Sequence, residues 1–478
     1  MMRRAAPGVA AVAAVALLAG CTVTPPHPGA DVPLPPARAA ETIAAASGAA
    51  QHLTAGAPPL AQWWRAFGSA RLDALVETAL AHNNDLAAAE ATLRQAQEQA
   101  RAAAGAQGPQ IDASYQAQRA RVSNALQTPL ADQSLSIYTL HTAQLTVSYP
   151  LDLFGGGRNQ VRSARAAADV AAQRLAAARI AAVANLVVAA IQRASLAAQA
   201  EATQRVIADD RALVDLLRRR QALGEVGEAD VAAQQTVLAT AEAALPPLER
   251  QRDHQAGVIA TLLGLPAGAA LPALPAMDEL RLPTDLPLAL PAAIVANRPD
   301  VRAAEAQMRG AAADVGTAIA ARLPAIEISG NAGGTAARFL DMFASGNPFF
   351  TLVGGITQPL FHAGRLRHQQ RAAEAALDAA RAQYRAAALM AFLDVDDALS
   401  GLRTDAAALD AAERADEAAA RTLAMTRRQV ALGAVGTFGL LNASSAASQA
   451  ATLRIQARAA RLADTVALFQ ACGTPVTR

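Results

Sequence analysis

Apolar and polar residues recur along this chain with two different periods. No proline occurs from 157 to 223 or from 360 to 474, and in the first stretch Val183, Val187 and Ile191 recur every four residues. This spacing is typical of a helix. The sequence therefore predicts two helices of about 66 residues, each a rod of roughly 100 Å at ~1.5 Å per residue.

Further helices are predicted around the two long ones. After each long helix, a Leu-Gly-x-Val-Gly turn leads into a helix that returns, from about Glu228 and about Thr437. The pair Pro246-Pro247 should kink or split the first return helix, because proline lacks the amide hydrogen that a helix interior uses. Shorter helices are predicted at about 69–104 and 298–321.

Strands are predicted between the short and the long helices. Leu145, Val147 and Tyr149 alternate with polar residues, and the same period occurs at 326–329, at 350–357 and, more weakly, at 111–115. Each strand has about the 9–11 residues with which a strand crosses a bilayer as part of a barrel. A small soluble sheet with one wet face shows the same alternation, so the pattern alone leaves both structures open.

The chain also contains an internal tandem repeat. Three landmarks occur twice, in the same order and at nearly constant separation: a Pro-Leu-to-Gly-Arg segment at 150–158 and 359–365, a run rich in alanine at 85–91 and 300–306, and the Leu-Gly-x-Val-Gly turn at 223–227 and 432–436. A duplication of this kind predicts two similar structural halves.

The N-terminus predicts export and lipid attachment. A short basic region precedes an apolar run that is too brief for a membrane span and is typical of a secretory signal. The run Leu18-Ala19-Gly20-Cys21 resembles the bacterial lipobox, in which the signal is cut before the cysteine and Cys21 carries lipid. Ordinary signal cleavage with an incidental cysteine is the alternative. By the same resemblance, Thr22 implies transfer to the outer membrane.

Four strands cannot close a barrel, and open strand edges cannot face lipid because their amide groups would lack hydrogen-bond partners. If the strands lie in a membrane, several chains must share one barrel, and three chains would supply twelve strands. The helices and strands together predict the α+β fold class. If the strands lie in the membrane, the fold would combine a trimeric, twelve-stranded outer-membrane barrel, with four strands from each chain, and a long periplasmic helical barrel that continues from it; the family resemblance given below implies this arrangement.

Composition narrows the class of partner. The chain is 53% hydrophobic but only 3% aromatic, and alanine supplies most of the apolar fraction, which suits long helices in close contact. All 42 basic residues are arginine and the formal net charge is +2, so nothing indicates nucleic acid as a partner.

After Cys21 only Cys472 remains, which excludes an intrachain disulfide in the mature chain. No apolar stretch of the mature chain is expected to reach the ~20 residues of a spanning helix.

No residue pattern indicates catalysis or metal binding. His362 and His368 lie six positions apart and do not form a facing i, i+4 pair. Asp394, Asp396 and Asp397 could bind a cation, although a solvated helix face explains them better. We therefore expect no enzyme activity, no metal and no cofactor apart from the lipid on Cys21.

Behind the lipobox, four motifs occur in fixed order: Trp63-Trp64-Arg65-Ala66-Phe67, Tyr149-Pro150-Leu151-Asp152-Leu153-Phe154-Gly155-Gly156, Asn297-Arg298-Pro299-Asp300-Val301 and Gln358-Pro359-Leu360-Phe361. Over about 63–470 they resemble the TolC-like outer-membrane efflux family, in its NodT-type lipoprotein branch. The resemblance implies a homotrimer that acts as the exit duct of a tripartite pump. Its partners would be a periplasmic adaptor and an inner-membrane transporter.

The resemblance also implies functional residues at the ends of the helical hairpins. The turns at 222–230 and 431–439 correspond to adaptor-facing tips, with candidate residues Gly224, Val226, Gly227, Asp230, Gly433, Val435 and Gly436. The arginines that precede each turn could equally complement the charge of a helix C-terminus.

A periplasmic gate is implied at Phe438 and Asn442. Their spacing of four puts both on one helical face, so a trimer would stack a Phe ring on an Asn ring. Family members commonly have an Asp where this chain has Asn442, which puts strong cation selectivity at this ring in doubt. Phe438 could instead pack between helices as ordinary core.

The predicted organisation has six segments. They are a lipoprotein signal peptide at 1–20, an extended N-terminal segment at 21–62, the first repeat at 63–265, a Pro-rich equatorial linker at 266–296, the second repeat at 297–470 and a C-terminal tail at 471–478.

A lipid-anchored periplasmic coiled-coil tether or adaptor without a pore is the alternative from a different class. It explains the helices and the lipobox, but not four strands in two matched pairs. Within the channel class, small molecules such as drugs or toxic compounds, metals, and proteins of a type I secretion system remain open as cargo. Seven Met and seven His mildly disfavour a dedicated copper or silver duct.

Overall fold

A computed structural model describes residues 23–24, 26, 29, 31–36, 39–43, 50–57, 60–121, 137–288, 291–432, 434–473 and 476. The predicted signal peptide, the lipidation site Cys21 and the tip residue Gly433 lie outside these residues, as does the loop at 122–136.

The described chain is mainly helical. Its α-helices are α1 (Ala70–His82), α2 (Asn84–Gly105), α3 (Gly156–Ala222), α4 (Glu228–Leu262), α5 (Pro291–Asn297), α6 (Pro299–Ala320), α7 (Arg365–Ala431) and α8 (Thr437–Ala471). Its strands are β1 (Glu41–Ile43), β2 (Gln51–Ala55), β3 (Gln110–Arg121), β4 (Ile137–Leu151), β5 (Asp285–Leu288), β6 (Ala325–Ala336) and β7 (Pro348–Thr357). The two long helices, α3 and α7, have 67 residues each, which confirms the two rods that the proline-free stretches predict.

The chain forms two compact units, of which the first contains residues 1–30, 93–170 and 304–384. Its sheet is antiparallel, in the order β3-β4-β6-β7. Ala113, Leu145, Ala332 and Phe350 lie in one row across the four strands. The neighbouring row is polar, and it consists of Asp112, Thr146, Asn331 and Thr351. Because successive residues of a strand point to opposite faces, the sheet has one apolar and one polar face.

The helices of the first unit pack through small and medium-sized side chains. Met308, Val315 and Leu377 form a buried cluster with alanines of α6 and α7, and Tyr384 packs against it. Alanine permits close helix contacts, in keeping with the composition of the chain.

The second unit contains residues 31–92, 171–303 and 385–478. Its core contains several of the few aromatic residues of the chain. Trp63 stacks on Phe469 with ring centroids 5.2 Å apart, and Trp64 and Phe67 are fully or almost fully buried beside them. The Trp63–Phe67 motif thus forms a 3-10 turn that packs against the end of α8. The motif has a structural role here.

The second unit also contains a small sheet that the sequence did not predict. Strand β2 pairs antiparallel with β1 and parallel with β5. It therefore joins the predicted N-terminal extended segment to the predicted Pro-rich linker. The buried Gln51 side chain fixes the junction, because its Nε2 donates to Pro283 O and to Thr465 Oγ1, each at 3.1 Å.

The second predicted short helix, at about 298–321, is one helix in the structure, α6, whereas the first, predicted at about 69–104, is divided. Asn83 has an extended backbone and separates α1 from α2. Its side-chain oxygen accepts from the amide of Leu86 at 3.0 Å, which caps the start of α2, and its Nδ2 donates to Leu262 O at 2.9 Å. In the second repeat, α5 and α6 are separated at Arg298, which precedes the helix-starting Pro299.

The return helix α4 continues through Pro246-Pro247, so these prolines do not split it, and the alternative prediction, a kink, stays a prediction. Two consecutive prolines remove only two amide donors from a helix of 35 residues.

By length and composition, one helix in the described residues, α3, contains an 18-residue window that is apolar enough to cross a membrane. The prediction that no such stretch exists was therefore too strict. Half of that window is buried inside the protein, which is what a core helix shows as well. The alanine and valine residues around Val183 and Val187 make it apolar, and both of these valines are fully buried.

Candidate functional site

The first hairpin tip is a tight turn between α3 and α4. Gly224 has φ of +78°, a left-handed conformation that favours glycine, and the amide of Glu225 closes the turn by donating to Arg220 O at 2.9 Å. Asp230 Oδ2 accepts from the amide of Gly227 at 3.2 Å, which caps the start of α4. The side chain of Val226, in the same turn, is half-buried. The predicted tip residues therefore lie together and form the turn.

The second tip repeats part of this arrangement. Gly436 has an extended backbone and precedes α8, and the amide of Ala434 donates to Gln429 O at 2.8 Å. Val435 is half-buried, like its counterpart in the first tip. The duplication thus extends to the backbone of the turns but not to the side-chain cap, because Gly439 stands at the position that corresponds to Asp230.

The arginines near the tips have local partners. Arg219 Nε donates to the backbone oxygen of Asp215 at 3.2 Å, and Arg220 lies 3.8 Å from Glu225 Oε2. These contacts fit the alternative that the first arginine cluster complements a helix end. Arg427 differs, because its Nη2 reaches Asp209 Oδ2 on α3 at 2.5 Å and so links the two hairpins.

The gate candidates lie on the first turns of α8. Phe438 is 72% exposed and Asn442 is also exposed, whereas Leu440 and Ala443 on the other side of the helix are buried. Phe438 therefore does not pack in the core of the single chain. Its role in a gate, and its alternative role in packing between helices of an assembly, stay predictions. Both side chains are available to a partner or to a channel interior.

A cavity of about 260 Å³ near the start of α8 is lined by residues of α3, α7 and α8, among them Asp209, Asp210, Arg427 and Leu440. Asp210 is 2% exposed, and its Oδ1 accepts from Gln234 Nε2 at 3.0 Å. Burial raises the pKa of the Asp210 carboxyl.

Sequence reasoning missed the acidic pair Asp209–Asp210. The sequence does distinguish this pair, because the corresponding positions of the second repeat are the alanines Ala418 and Ala419. A charged pair in only one of two duplicated helices indicates a contact that the other helix does not make.

The acidic cluster of α7 has a structural partner. Arg298 Nη2 donates to Asp394 Oδ2 at 2.8 Å and to Asp300 Oδ2 at 2.6 Å, while its Nη1 donates to Ala471 O at 2.9 Å. The pKa of Asp300 is lowered by Arg298, against the effect of burial. Across the described part of the chain, no group of three or more His, Cys, Asp or Glu residues is arranged to hold a metal ion.

Comparison with known proteins identifies the class that this fold represents. The family model for outer membrane efflux proteins matches residues 75–265 and 290–474. The chain is 31% identical over 461 residues to the pyoverdine export outer membrane protein OpmQ of Pseudomonas putida, covering 96% of this chain and 95% of OpmQ. It is 26% identical to the toluene efflux pump outer membrane protein TtgC of the same species, covering 96% of this chain and 93% of TtgC.

Solved structures agree. The outer-membrane channel OprN superposes with a TM-score of 0.82 at 27% identity, covering 93% of this chain and 98% of OprN. The outer membrane protein VceC of Vibrio cholerae gives a TM-score of 0.79 at 25% identity, covering 88% of this chain and all of VceC. This chain belongs to the outer membrane efflux protein family.

Family membership establishes an efflux channel protein of the outer membrane and confirms the resemblance found in the sequence. The family is one of transport channels and not a class of enzymes. A pore-less tether, the alternative from another class, is therefore set aside.

Proposed function

We propose that three copies of this chain form the exit duct of a tripartite efflux pump. The duct combines a shared twelve-stranded barrel in the outer membrane with a periplasmic helical barrel, and it receives cargo through an adaptor and an inner-membrane transporter. The efflux and export roles stated in the names of OpmQ and TtgC support small molecules as cargo. The residues of this chain do not favour metal ions or secreted proteins over small molecules as cargo.

The observation that carries this proposal is the amphipathic sheet of the first unit. On its apolar face Ile111 is 68% exposed, Leu145 53%, Phe350 84% and Leu352 77%. Large apolar side chains in one continuous exposed face mark a surface that another molecule or a membrane covers. The opposite face carries Ser, Thr, Asn and Gln, which suit a water-filled interior.

The strand edges supply the second part of the argument. Within the described residues, β3 and β7 have one neighbouring strand each and form the two edges of the sheet. Strands of 10 to 15 residues with free edges cannot lie in lipid. Each backbone amide that is buried there without a hydrogen-bond partner costs several kcal/mol of free energy. Pairing of β7 with β3 of the next chain closes the ring.

The mass of the detergent-extracted complex tests this proposal. Native mass spectrometry or light scattering is expected to give three copies of the mature chain in mild detergent. A stable, folded monomer under the same conditions would contradict the shared barrel.

The contacts of Val23 support a lipid anchor on Cys21. The amide of Val23 donates to Phe154 O at 3.0 Å, and Asn159 Nδ2 donates to Val23 O at 3.4 Å. Both partners lie where β4 passes into α3, at the end of the strands proposed to span the membrane. The residue two positions after Cys21 is thus held at the level where a lipid-bearing cysteine can reach the membrane surface.

The tips and the gate complete the proposal. The tips at 222–230 and 431–439 would dock the adaptor, and Phe438 with Asn442 would form the periplasmic constriction. Their exposure in the single chain supports both roles. We retain the six-segment organisation, with the addition that its two linkers meet in one small sheet.

A further inference from the structure

The apolar face of the four-stranded sheet carries two arginines. Arg119 and Arg121 lie an even number of residues from Ile111 along β3, so all three side chains point to the same face. The acidic residues of the described strands in this sheet, Asp112 and Glu327, lie on the polar face. A charged side chain on a lipid-facing surface is unfavourable in the middle of a bilayer and becomes tolerable near its edge. The two arginines therefore belong at the level of the lipid headgroups.

Both arginines lie at the end of the sheet that is remote from the helices, which we call the distal end. Strand β3 starts close to the end of α2, whereas Arg121 is its last residue. From Ile111 to Arg119 the strand rises ~27 Å at ~3.4 Å per residue, which is about 20 Å across a bilayer for a tilt of ~40°. The apolar band of an outer-membrane barrel is ~25 Å tall. Arg119 therefore lies near the distal edge of such a band.

An aromatic cluster lies next to the arginines on the same face. The Tyr115 hydroxyl is hydrogen-bonded to His141 Nδ1 at 2.8 Å, and the two rings are nearly parallel with centroids 6.2 Å apart. Phe339, in the 3-10 turn Phe339–Asp341, packs edge-on against Tyr115 with centroids 5.6 Å apart. Aromatic rings with a polar atom favour the boundary between hydrocarbon and headgroups. From the helices to the distal end, the face is thus apolar, then aromatic, then basic, which is the order of a membrane surface.

The turn after β6 folds over the apolar face. Gly334 makes this possible, because a Cβ at this position would overlap Met342 O and would also crowd the ring of Phe343. In this arrangement Phe343 is 65% exposed and Leu340 is 90% exposed. The turn therefore adds large apolar side chains to the distal end of a face that is already apolar, and acyl chains can cover both.

The positive charge of the distal end is available to a ligand. Arg119 and Arg121 are exposed, and neither makes an ion pair within the part of the chain that the structure describes. The nearby turn has one basic residue, Arg338, and one acidic residue, Asp341, so it does not change the excess of positive charge. Planar guanidinium groups match phosphate oxygens in geometry as well as charge.

We propose that the distal end of the apolar face binds a membrane lipid that carries phosphate groups. Arg119 and Arg121 bind the phosphate oxygens, the aromatic cluster lies at the boundary below them, and Leu340 with Phe343 contacts the acyl chains. The inference rests on the proposed barrel, because only a sheet that lies in a membrane presents this face to lipid.

Diphosphoryl lipid A serves as the probe, and phosphatidylcholine, whose phosphate is neutralised by its own choline, is the counterpart. Native mass spectrometry of the purified full chain in detergent counts the lipids bound per chain. One diphosphoryl lipid A per chain is expected, with weaker retention of monophosphoryl lipid A and no retention of phosphatidylcholine. An arginine near an anionic lipid surface contributes about a fivefold preference, so Arg119→Gln with Arg121→Gln should weaken binding about 25-fold.

Arg101→Gln is the matched control, because Arg101 lies on α2 outside the sheet with its side chain 73% exposed. Exchange of both sheet arginines for lysine separates loss of charge from loss of folding. Lysine keeps the charge but not the planar fork, so this variant should still prefer diphosphoryl lipid A over phosphatidylcholine. Inorganic phosphate at millimolar concentration should not displace the lipid, because it lacks the acyl chains that the apolar residues contact.

The same spectra separate failure of this inference from failure of the proposed pump. Equal retention of lipid A and phosphatidylcholine by an intact trimer overturns the inference alone, and so does equal lipid A binding by the double glutamine variant and Arg101→Gln. Displacement by inorganic phosphate would assign the arginines to a free anion and also overturns it. A monomer that keeps the preference for lipid A supports the lipid site and contradicts the shared barrel.

Discussion

At the scale of single residues, Asp405 and Asp464 form a carboxyl pair between α7 and α8. The two side chains are hydrogen-bonded to each other, and burial together with the charge of Asp405 raises the pKa of Asp464 to about 6. Gly401 makes room for the pair, because a Cβ at this position would overlap Asp464 Oδ2. Burial raises the pKa of Asp405 as well, although its hydrogen bond with Asp464 and the charge of Arg461 oppose this shift.

This pair predicts a pH dependence of stability with a definite sign. The folded chain binds a proton at Asp464 more tightly than the unfolded chain does, because the pKa rises from 3.8 to about 6. The resulting stabilisation is complete below about pH 3.8 and is lost as the pH rises through about 6. Asp464→Asn, which lacks the charge, should be more stable than the wild type at pH 7.5 and less dependent on pH.

Thermal unfolding in detergent at pH 5 and pH 7.5 measures this effect. Glu417→Gln is a suitable control, because Glu417 lies on α7 with its side chain 68% exposed. Equal pH dependence in the wild type and in Asp464→Asn would show that another group dominates this range.

Residues differ in how far the sequence alone reveals them. Gly224, Gly227 and Asp230 could be predicted as a turn because turn and cap chemistry is local. The Asp405–Asp464 pair could not, since its members are 59 positions apart and meet only through the packing of α7 on α8.

At the scale of elements, periodicity predicted the long helices well. Both extend over 67 residues, from the Gly-Arg joints to the Leu-Gly turns. The break at Asn83 was missed although its cap is local, since Asn83 Oδ1 accepts from the amide of Leu86; only the contact of its Nδ2 with Leu262 O is distant in the sequence. Strand β4 begins at Ile137, well before the clear alternation at 144–151, because its pairing with β3 extends to Arg121.

The first turns of α8 carry the prediction for the gate. If Phe438 rings narrow the channel, Phe438→Ala should raise single-channel conductance in planar bilayers roughly twofold or more, because a bulky apolar constriction resists water and ions. Asn442→Asp should increase preference for cations, since it adds a ring of carboxylates. Leu453→Ala on the same helix is the matched control, because Leu453 is 55% exposed and lies away from the tip.

Single-channel recordings decide between the two roles of Phe438. Unchanged conductance in Phe438→Ala and unchanged selectivity in Asn442→Asp, with the assembly intact, would place the constriction elsewhere. A change in Leu453→Ala of the same size would show that helix packing, not the position of Phe438, controls conductance.

At the scale of the whole molecule, two parts of the single chain expose large apolar side chains: the sheet and the helix end at the second tip. The sheet has an exposed apolar face and two edges, and the tips expose Phe438. The proposed trimer accounts for both, since lipid and neighbouring chains would cover the sheet and its edges, and Phe438 would face the channel interior. The sequence could predict this need from the number of strands, because four strands cannot close a barrel.

The membrane position of the whole molecule yields the last prediction. Cys21→Ser should lose the incorporation of radiolabelled fatty acid entirely, yet the protein should still fractionate with the outer membrane. In the proposed assembly the lipid would be one anchor, and the exposed apolar face of the sheet would make a second and much larger contact with the bilayer. The contacts of Val23 with Phe154 and Asn159 do not involve the lipid, so the N-terminal segment should stay at the β4–α3 junction.

Cys472→Ser is the matched control for this experiment. Cys472 is the other cysteine of the chain and is buried, and its Sγ donates to Pro287 O at 3.7 Å, a contact that serine can also make. This variant should keep the label. Label retained in Cys21→Ser, or absent from the wild type, would refute the lipobox. Release of Cys21→Ser into the periplasm would show instead that the lipid, and not the sheet, holds the protein in the membrane.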